Sequence, residues 1–338
     1  MTIRTDFSDA IGRTPLIRLR GASQATGCEV LGKAEFLNPG GSIKDRTALG
    51  LLDDAQARGL VRPGTVLVEG TAGNTGIGLA LVGASRGHRT VIVMPDTQSA
   101  EKIDALRLTG ADVRLVPPAK FADPANYVHR AEQLAADMNA AQPGSAWFAG
   151  QFDNLANRAI HERTTGPEIW DALDGRVDGF VCSAGTGGSL AGIARALKAR
   201  NPRIATALAD PDGSALARFI NHGDLSAEGN SFTEGIGSSR ITANFDGAPI
   251  DHAWSIPDSE AVPLLHALLH DEGLCLGGSS GINIAGAVRL ARTLGPGHTI
   301  VTLLADAGAR YQRKLYNPRF LHDKGIAVPK WLQQAFPG

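Results

Sequence analysis

A strand, a turn and the start of a helix follow one another in the stretch Val66-Leu-Val-Glu-Gly-Thr-Ala-Gly-Asn-Thr-Gly76. The apolar run Val66–Gly70 predicts a buried strand, and the amphipathic pattern from Asn74 to Arg86 predicts a helix behind it. Strands that alternate with crossover helices form parallel sheets that are covered on both faces. This stretch therefore predicts an α/β protein.

The same alternation continues on both sides of this stretch. Further strands are predicted at 90–95, 112–116, 179–183, 206–209 and 299–304, and further helices at 44–58, 100–109, 127–138 and 189–199. Proteins of this class bind ligands at the carboxyl ends of their strands. A functional site is therefore expected at the glycine-rich turns that follow strands.

The composition narrows the class of partner. The chain has 338 residues, 43% of them hydrophobic and 20% charged, which is long enough for two lobes. A formal net charge of -1 gives no broad basic surface for nucleic acid or a membrane, so a small molecule is the expected partner. The three cysteines are isolated, which predicts a reducing compartment and no metal site. The N-terminal segment has no signal-peptide pattern, so the cytoplasm is the expected location.

The first glycine-rich turn, Asn38-Pro-Gly-Gly-Ser-Ile-Lys-Asp-Arg46, places Lys44 at the start of a predicted helix. Ser42 stands where a helix cap is expected. A cation in the first turn of a helix opposes the helix dipole, which favours the neutral, nucleophilic amine that covalent catalysis by lysine requires. The alternative is an ordinary solvated lysine on the surface.

The second turn, Thr71–Gly76, joins the strand and the helix quoted above. Its small residues leave several backbone N–H groups at a helix N-terminus, which is typical of a site for a carboxylate or a phosphate. An N-capped turn that binds no ligand has the same composition, so both interpretations stay open.

Two more turns follow later strands. Ser183–Ser189 meets the backbone requirements of a phosphate cradle, but Leu190 stands where a dinucleotide fingerprint needs Gly or Ala. Leu276–Gly281 opens another helical pattern and, taken alone, predicts no more than a helix cap. Gly27–Lys33 has the spacing of a P-loop, but Ala34 replaces the metal-binding Ser or Thr and the segment is predicted as a strand.

In their order along the chain, the four turns resemble those of the fold-type II pyridoxal-phosphate enzymes, most closely the cysteine synthase and cystathionine β-synthase group. The resemblance extends from Ile11-Gly-Arg-Thr-Pro-Leu16 to Asp306-Ala-Gly-Ala-Arg-Tyr311. It implies a tryptophan synthase β-like fold with two open twisted sheets of mainly parallel strands flanked by helices. It also implies pyridoxal 5'-phosphate as the cofactor and a homodimer as the assembly.

The resemblance assigns a role to each turn. Lys44 would be the catalytic lysine, which links to the cofactor and later moves protons at Cα and Cβ of the substrate. Asn74 would bind the 3' oxygen of the cofactor, and Ser279 would face its pyridine nitrogen. The residues implied for the cofactor phosphate are Gly185, Thr186, Gly187, Gly188 and Ser189.

The amino-acid substrate would be held by its carboxylate. The residues implied for this contact are Thr71, Ala72, Gly73, Asn74, Thr75 and Gln151. The segment His161–Glu168 would lie beside the pocket. A histidine packed inside a helix is the alternative interpretation of His161.

The serine at position 279 shapes the expected reaction. A hydroxyl opposite the pyridine nitrogen makes the ring a weaker electron sink than a carboxylate would, which favours loss of a β-substituent after proton removal at Cα. The favoured function is a cysteine synthase, which converts O-acetylserine or a related β-substituted serine and sulfide to L-cysteine through aminoacrylate. The alternatives are an L-cysteine desulfhydrase, which forms sulfide, pyruvate and ammonia, and a cystathionine β-synthase-like β-replacement.

Departures from the cysteine synthase pattern keep these alternatives open. Ala72 stands in place of the usual serine of the second turn, and Leu155 and Arg158 stand in place of the usual prolines after Gln151. The pair Gly40-Gly41 is more similar to the cystathionine β-synthase and cysteine desulfhydrase branches. A non-catalytic binding protein is disfavoured because Lys44 is retained.

The resemblance also predicts how the chain is divided. A smaller, mobile lobe at 46–150 would receive the substrate carboxylate, and a larger lobe at 1–45 plus 151–338 would bind the cofactor phosphate. The best boundary candidate in the sequence itself is the polar segment Ala140–Ser145. Closure of the smaller lobe over the substrate is the expected motion.

Overall fold

The structure is a computed structural model, and it describes residues 3–335. The strands in this part of the chain are β1 Leu16–Arg18, β2 Glu29–Ala34, β3 Val66–Gly70, β4 Thr90–Pro95, β5 Asp112–Val116, β6 Ala146–Phe148, β7 Gly179–Cys182, β8 Ala205–Pro211, β9 His252–Ile256 and β10 Thr299–Leu304. The helices are α1 Arg20–Thr26, α2 Lys44–Ala57, α3 Asn74–Ser85, α4 Ala100–Leu108, α5 Tyr127–Ala141, α6 Ala156–Ile160, α7 Gly166–Ala172, α8 Gly188–Arg200, α9 Leu216–His222, α10 Asp258–Ala267, α11 Gly278–Leu294, α12 Gln312–Leu315, α13 Pro318–Asp323 and α14 Lys330–Ala335. Two wider π turns span His161–Thr165 and Leu268–Glu272.

Contacts divide the chain into two units. The first consists of the N-terminal segment up to Gly12 together with Asn38–Ile160. The second consists of Arg13–Leu37 together with the chain from His161 onward. Each unit contains one sheet and its own hydrophobic core.

The sheet of the first unit has the strand order β5-β4-β3-β6, and all neighbouring strands are parallel. Successive residues of β3 point to opposite faces of the sheet. Leu67 therefore packs with apolar residues of α2 and α3, whereas Val66 and Val68 pack with α5. Both faces of β3 are buried, which explains its nearly continuous apolar sequence.

The sheet of the second unit has the order β1-β2-β10-β7-β8-β9. Strand β1 is antiparallel to β2, and the other neighbours are parallel. Helix α11 contributes Ile282, Ile284 and Ala285 to the core that covers this sheet, where Val181 of β7 also lies. The start of α11 is thereby fixed against the sheet.

The predicted α/β fold with two sheets of mainly parallel strands is confirmed. Strands β3, β4, β5 and β10 have the predicted bounds, and β7 and β8 differ from prediction by one or two residues at their ends. Strand β2 occupies most of the segment Gly27–Lys33, which has the spacing of a P-loop but was predicted to be a strand. No helix within residues 3–335 is long and apolar enough to cross a lipid bilayer.

The observed units have other bounds than the predicted lobes. The expected boundaries after residues 45 and 150 both fall inside the first unit, because α2 packs with α3 and α6 there. The polar segment Ala140–Ser145 leads from α5 to β6 within the same unit, and the Ser145 hydroxyl closes it by donating to the carbonyl of Met138 at 2.9 Å. The division into lobes at 46–150 and at 1–45 plus 151–338, and the mobility of the smaller lobe, stay predictions.

Candidate active site

Lys44 is the first residue of α2, and the turn before it folds back onto the helix. The backbone N–H of Lys44 donates to the Ser42 hydroxyl at 3.2 Å, and the backbone N–H of Gly40 donates to the Asp45 carboxylate at 2.6 Å. Asp45 is fully buried, whereas Lys44 is partly exposed. The turn therefore fixes the backbone of Lys44 and leaves its side chain accessible.

The second turn runs from the end of β3 to the start of α3. Thr71 and Thr75 are buried at its two ends, and Ala72, Gly73 and Asn74 between them are partly exposed. This accessible centre carries backbone N–H groups of the first turn of a helix of 12 residues. Because the helix dipole favours negative charge at that end, the centre of the turn suits a carboxylate.

Gly70 fixes the place where the second turn begins. A Cβ atom on this residue would lie 2.6 Å from Cα of Val128 and 2.9 Å from the carbonyl oxygen of Tyr127, both on α5. These separations are too short for any side chain. The end of β3 therefore packs directly on the start of α5, and glycine is required there.

Gln151 lies behind the second turn. Its side-chain oxygen accepts a hydrogen bond from the Thr75 hydroxyl at 2.6 Å, and its side-chain nitrogen donates to Glu69 at 3.0 Å. Its backbone carbonyl accepts from the Asn157 side chain of α6 at 2.8 Å. Gln151 is thus held at three points, and one of them is the turn that is predicted to bind the substrate.

Glu69 is a residue of this site that the sequence analysis missed. It is fully buried in β3, and burial raises its pKa to about 8 although hydrogen bonds from Gln151 and Gly150 lower it. A signal was present, because a carboxylate inside the apolar run Val66–Gly70 requires buried donors. The sequence did not show that Gly150 and Gln151 supply them.

The third turn belongs to the second unit and leads from β7 into α8. Gly187 has a φ of +83°, and a Cβ atom on it would lie 2.5 Å from Cβ of Phe245. Both the left-handed backbone and the close packing require glycine. The Thr242 hydroxyl donates to the carbonyl of Thr186 at 2.7 Å and supports the turn from another side. The result is a rigid turn at the start of a helix of 13 residues, which suits a phosphate.

His161 connects the third turn to the segment His161–Glu168. Its Nε2 atom lies 3.1 Å from the Ser189 hydroxyl, and its Nδ1 atom lies 2.9 Å from the Thr165 hydroxyl. The histidine is fully buried, as the packed-histidine interpretation expects. It also contacts Ser189 of the turn that is predicted to bind the phosphate. The same side chain therefore fills the core and supports this turn.

Ser279 is the second residue of α11, and it is buried. Its hydroxyl has no hydrogen-bond partner within the part of the chain that the structure describes, residues 3–335. Asn283, on the same helix, accepts from the backbone N–H of Ser183 at 2.7 Å, which ties α11 to the start of the third turn. A hydroxyl without a protein partner on a buried residue suits a polar ligand atom such as a ring nitrogen.

The predicted residues thus fall into two groups, one in each unit. In the first unit, Lys44, the second turn and Gln151 are linked through packing of α2 on α3 and through the Thr47 hydroxyl, which donates to Asn157 at 3.1 Å. In the second unit, the third turn, His161 and Ser279 are linked through α8 and α11. The roles of these residues stay predictions.

Fold and site together define an α/β protein with an accessible lysine at the start of one helix and glycine-rich turns at the starts of others. The chain matches the family described as pyridoxal-phosphate dependent enzyme over residues 7–306, and it belongs to that family. A crystal structure of a hydrogen sulfide-producing enzyme from Fusobacterium nucleatum is similar, with a TM-score of 0.81 and 32% identity. The match covers 92% of this chain and 99% of that chain.

Curated relatives support the same family. Cysteine synthase 1 of Neurospora crassa is 48% identical, and the match covers 98% of this chain and 89% of the relative. The cysteine synthase of Dictyostelium discoideum is 44% identical over 96% of this chain and 88% of the relative. Cystathionine beta-synthase of Oryctolagus cuniculus is 39% identical over 96% of this chain, which spans 57% of that protein. The resemblance found in the sequence is confirmed.

Proposed function

We propose that the protein is a pyridoxal-phosphate dependent cysteine synthase, which forms L-cysteine from O-acetylserine or a related β-substituted serine and sulfide. The observation that carries the proposal is the identity of 48% to cysteine synthase 1 of Neurospora crassa over 98% of the chain. The matched length includes Lys44 and all four glycine turns. The family match over residues 7–306 also spans the part of the chain that holds the predicted site residues.

The residues present fit the cofactor. Gly185–Ser189 form a rigid turn of N–H groups for a phosphate, since Gly187 is locked against Phe245. Ser279 is a buried residue whose hydroxyl has no hydrogen-bond partner in residues 3–335, which suits a group that serves a ring nitrogen. Lys44 is accessible at the start of a helix. We assign Lys44 to the covalent link and Asn74 to the 3' oxygen.

The bound cofactor supplies an electron sink for Cα of the amino-acid substrate. The chain supplies the orientation and the proton transfer. N–H groups of the second turn, together with Gln151, hold the substrate carboxylate and thereby orient the Cα–H bond. The Lys44 amine takes the proton from Cα as the β-substituent leaves, and it returns a proton to Cα after sulfide has added at Cβ.

Product formation tests the proposal. Purified protein loaded with pyridoxal phosphate is expected to form cysteine from O-acetylserine and sulfide, and Lys44→Ala is expected to form none above background. Lys324→Ala is the matched control, because Lys324 is an exposed lysine outside the proposed site. Cysteine formation by Lys44→Ala at the wild-type rate contradicts the assignment.

A second candidate is an L-cysteine desulfhydrase. It is favoured by the similarity to a hydrogen sulfide-producing enzyme and by Ala72, which lacks the hydroxyl usual in cysteine synthases. The protein would be given cysteine alone, and sulfide and pyruvate would be measured. Sulfide release faster than cysteine synthesis would make this the main function. Homocysteine in place of sulfide tests a cystathionine β-synthase-like replacement in the same assay.

We also propose that the protein acts in the cytoplasm as a homodimer, as the family resemblance implies. Light scattering of the purified protein is expected to give twice the mass of one chain. The mass of a single chain would contradict the dimer. Fractionation of the source cells is expected to place the protein with cytoplasmic markers.

A further inference from the structure

Glu69 has no role in the cofactor and substrate contacts of the proposed function. It is nevertheless a fully buried carboxyl group next to the second turn. The backbone N–H of Gly150 donates to its Oε2 atom at 2.8 Å, and the Gln151 side chain donates to its Oε1 atom at 3.0 Å. It forms no ion pair with any of residues 3–335. A buried carboxylate without a cation destabilises a fold unless its hydrogen bonds offset the lost hydration.

This carboxylate determines how the Gln151 amide is oriented. Both oxygens of Glu69 accept hydrogen bonds, one from the backbone N–H of Gly150 and one from Gln151, so the NH2 group of the Gln151 amide faces Glu69. The amide oxygen then faces Thr75, whose hydroxyl donates to it at 2.6 Å. One buried carboxyl group is thus the starting point of two successive hydrogen bonds that end on the second turn.

We propose that Glu69 is a positioning residue for substrate recognition, which acts through Gln151 and Thr75 to hold the second turn in the form that receives the substrate carboxylate. This inference rests on the proposed function, because it takes the second turn and Gln151 as the carboxylate site. Glu69 lies behind these residues and does not touch the substrate. Its effect is therefore expected on substrate affinity and not on the chemical step.

The rest of the network supports this role. The backbone carbonyl of Gln151 accepts from Asn157, which in turn accepts from Thr47 of α2. The same glutamine is thus anchored to the helix that begins at Lys44. Burial raises the pKa of Glu69 to about 8, because its lost hydration outweighs the hydrogen bonds from Gln151 and Gly150. A residue kept at such a position for packing alone would be apolar.

Glu69→Gln tests the inference, because it keeps the shape of the side chain and replaces one acceptor with an NH2 group. The single amide oxygen can accept from Gly150 or from Gln151, so the NH2 group of the new side chain faces the other donor unless the Gln151 amide turns over, which would reverse the hydrogen bond to Thr75. We expect the KM for O-acetylserine to rise by about ten-fold and kcat to stay within about three-fold. Pyridoxal-phosphate content is expected to be unchanged.

A binding measurement separates affinity from chemistry. L-Alanine has the same carboxylate and amine but no β-leaving group, so its dissociation constant can be measured by calorimetry on the loaded protein. We expect this constant to rise by about ten-fold in Glu69→Gln. Asp210→Asn is the matched control and is expected to leave the constant unchanged. Asp210 is also a buried carboxylate, but it belongs to the second unit and accepts from the backbone N–H of Ala217 at 2.8 Å.

Thr75→Val tests the same network from its other end, because it removes the hydroxyl and keeps the backbone N–H. If the three residues act as one unit, the double variant Glu69→Gln/Thr75→Val has about the same alanine affinity as either single variant. Two independent structural effects would multiply instead. Thr75→Val also decides the question if Glu69→Gln does not fold, since an unchanged alanine affinity would then overturn the inference.

The outcomes distinguish this inference from the proposed function. A wild-type protein that forms no cysteine overturns the proposed function. A wild-type protein that forms cysteine, with unchanged KM and alanine affinity in Glu69→Gln, overturns the inference alone. A variant with reduced kcat and unchanged KM overturns it as well, because positioning of the carboxylate site would act on KM.

Discussion

The second and third glycine turns occupy the same position between a strand and a helix, but the glycine at the centre of each turn is packed differently. In the third turn, Gly187 is packed against Phe245, with 2.5 Å between that side chain and the position of an added Cβ. In the second turn, a Cβ atom on Gly73 would meet nothing within 4 Å. The centre of the second turn is thus open, and hydrogen bonds that lead from Thr75 through Gln151 to Glu69 support the turn from behind.

The difference corresponds to the two ligands in the proposed function. A cofactor phosphate remains bound through many turnovers, and a turn fixed by steric packing suits it. A substrate carboxylate enters and leaves in each cycle, and its turn is held by hydrogen bonds of about 1 kcal/mol each. We therefore expect substitutions in the third turn to act on cofactor retention and those in the second turn to act on substrate affinity.

The largest effect is expected at Lys44, because it is proposed to act on both the cofactor and the substrate. Lys44→Ala should lower the rate of cysteine formation by on the order of 10³-fold or more, because both the covalent link and the proton transfer are lost. After treatment with borohydride, mass spectrometry of wild-type peptides should find the cofactor on residue 44. Attachment to any other lysine would contradict the assignment of Lys44, and with it the ligands proposed for the two turns.

The next effect concerns the buried carboxyl groups of the two units. Burial raises the pKa of Glu69 to about 8 and that of Asp210 to about 6. The folded protein therefore keeps each proton at pH values where the unfolded chain has lost it. Consequently the free energy of unfolding falls as pH rises from the ordinary carboxyl range to about 8 for Glu69, and to about 6 for Asp210.

Variants should distinguish the pH range in which Glu69 affects stability from the range in which Asp210 does. In wild type, Glu69 is expected to lower the free energy of unfolding by up to about 1.4 kcal/mol per pH unit as the pH rises to about 8, and Glu69→Gln should remove this fall. Asp210→Asn should remove a similar fall that ends near pH 6. Urea unfolding at pH values from 5 to 8 measures both. Parallel curves for Glu69→Gln and wild type between pH 6 and 8 would show that Glu69 is not the titrating group.

A smaller effect is expected from adding one methyl group to each turn. Gly187→Ala should destabilise the fold by about 3 kcal/mol and lower cofactor retention, because its backbone and Phe245 leave no room. Gly73→Ala should change stability by less than about 1 kcal/mol, since the space beside it is open. Thermal unfolding and cofactor absorbance measure both variants, and equal losses would refute the proposed difference between the turns.

The smallest effect is expected from removing single hydroxyl groups. Ser189→Ala loses the contact with His161 and should weaken cofactor binding by about five- to ten-fold without changing the KM for O-acetylserine. Thr75→Val should raise that KM without changing cofactor binding. Titration of apo-protein with pyridoxal phosphate and steady-state kinetics give both constants. If both variants change the same constant, the two turns do not have separate ligands.

Much of the fold could be predicted because its central strands are buried on both faces. Strands such as β4 are short apolar runs bounded by turns, and such runs are visible without any tertiary information. Strand β6 has three residues and β1 is not fully buried, so neither has a pattern long enough to detect. The predicted lobe boundaries came from the family resemblance, whereas the observed units depend on which helices pack together.

The backbone turns of the site could be predicted from the sequence, but the side chains that hold these turns could not. Glycine-rich turns after strands are local features, and the order of the four turns was enough to indicate the family. The partners behind them are distant in sequence, since Glu69 and Gln151 are 82 positions apart and His161 and Ser189 are 28 positions apart. Which buried polar side chains meet is decided by packing of strands and helices, and no local pattern records it.

Gly70 has a consequence for protein engineering. A library that aims at new amino-acid substrates would vary the second turn, and the tight packing of Gly70 on Val128 means that this position must be left constant. Positions 72 and 73 are partly exposed, and the space beside Gly73 accepts a side chain. Diversity placed there would alter the shape offered to the ligand while the strand behind it keeps its register.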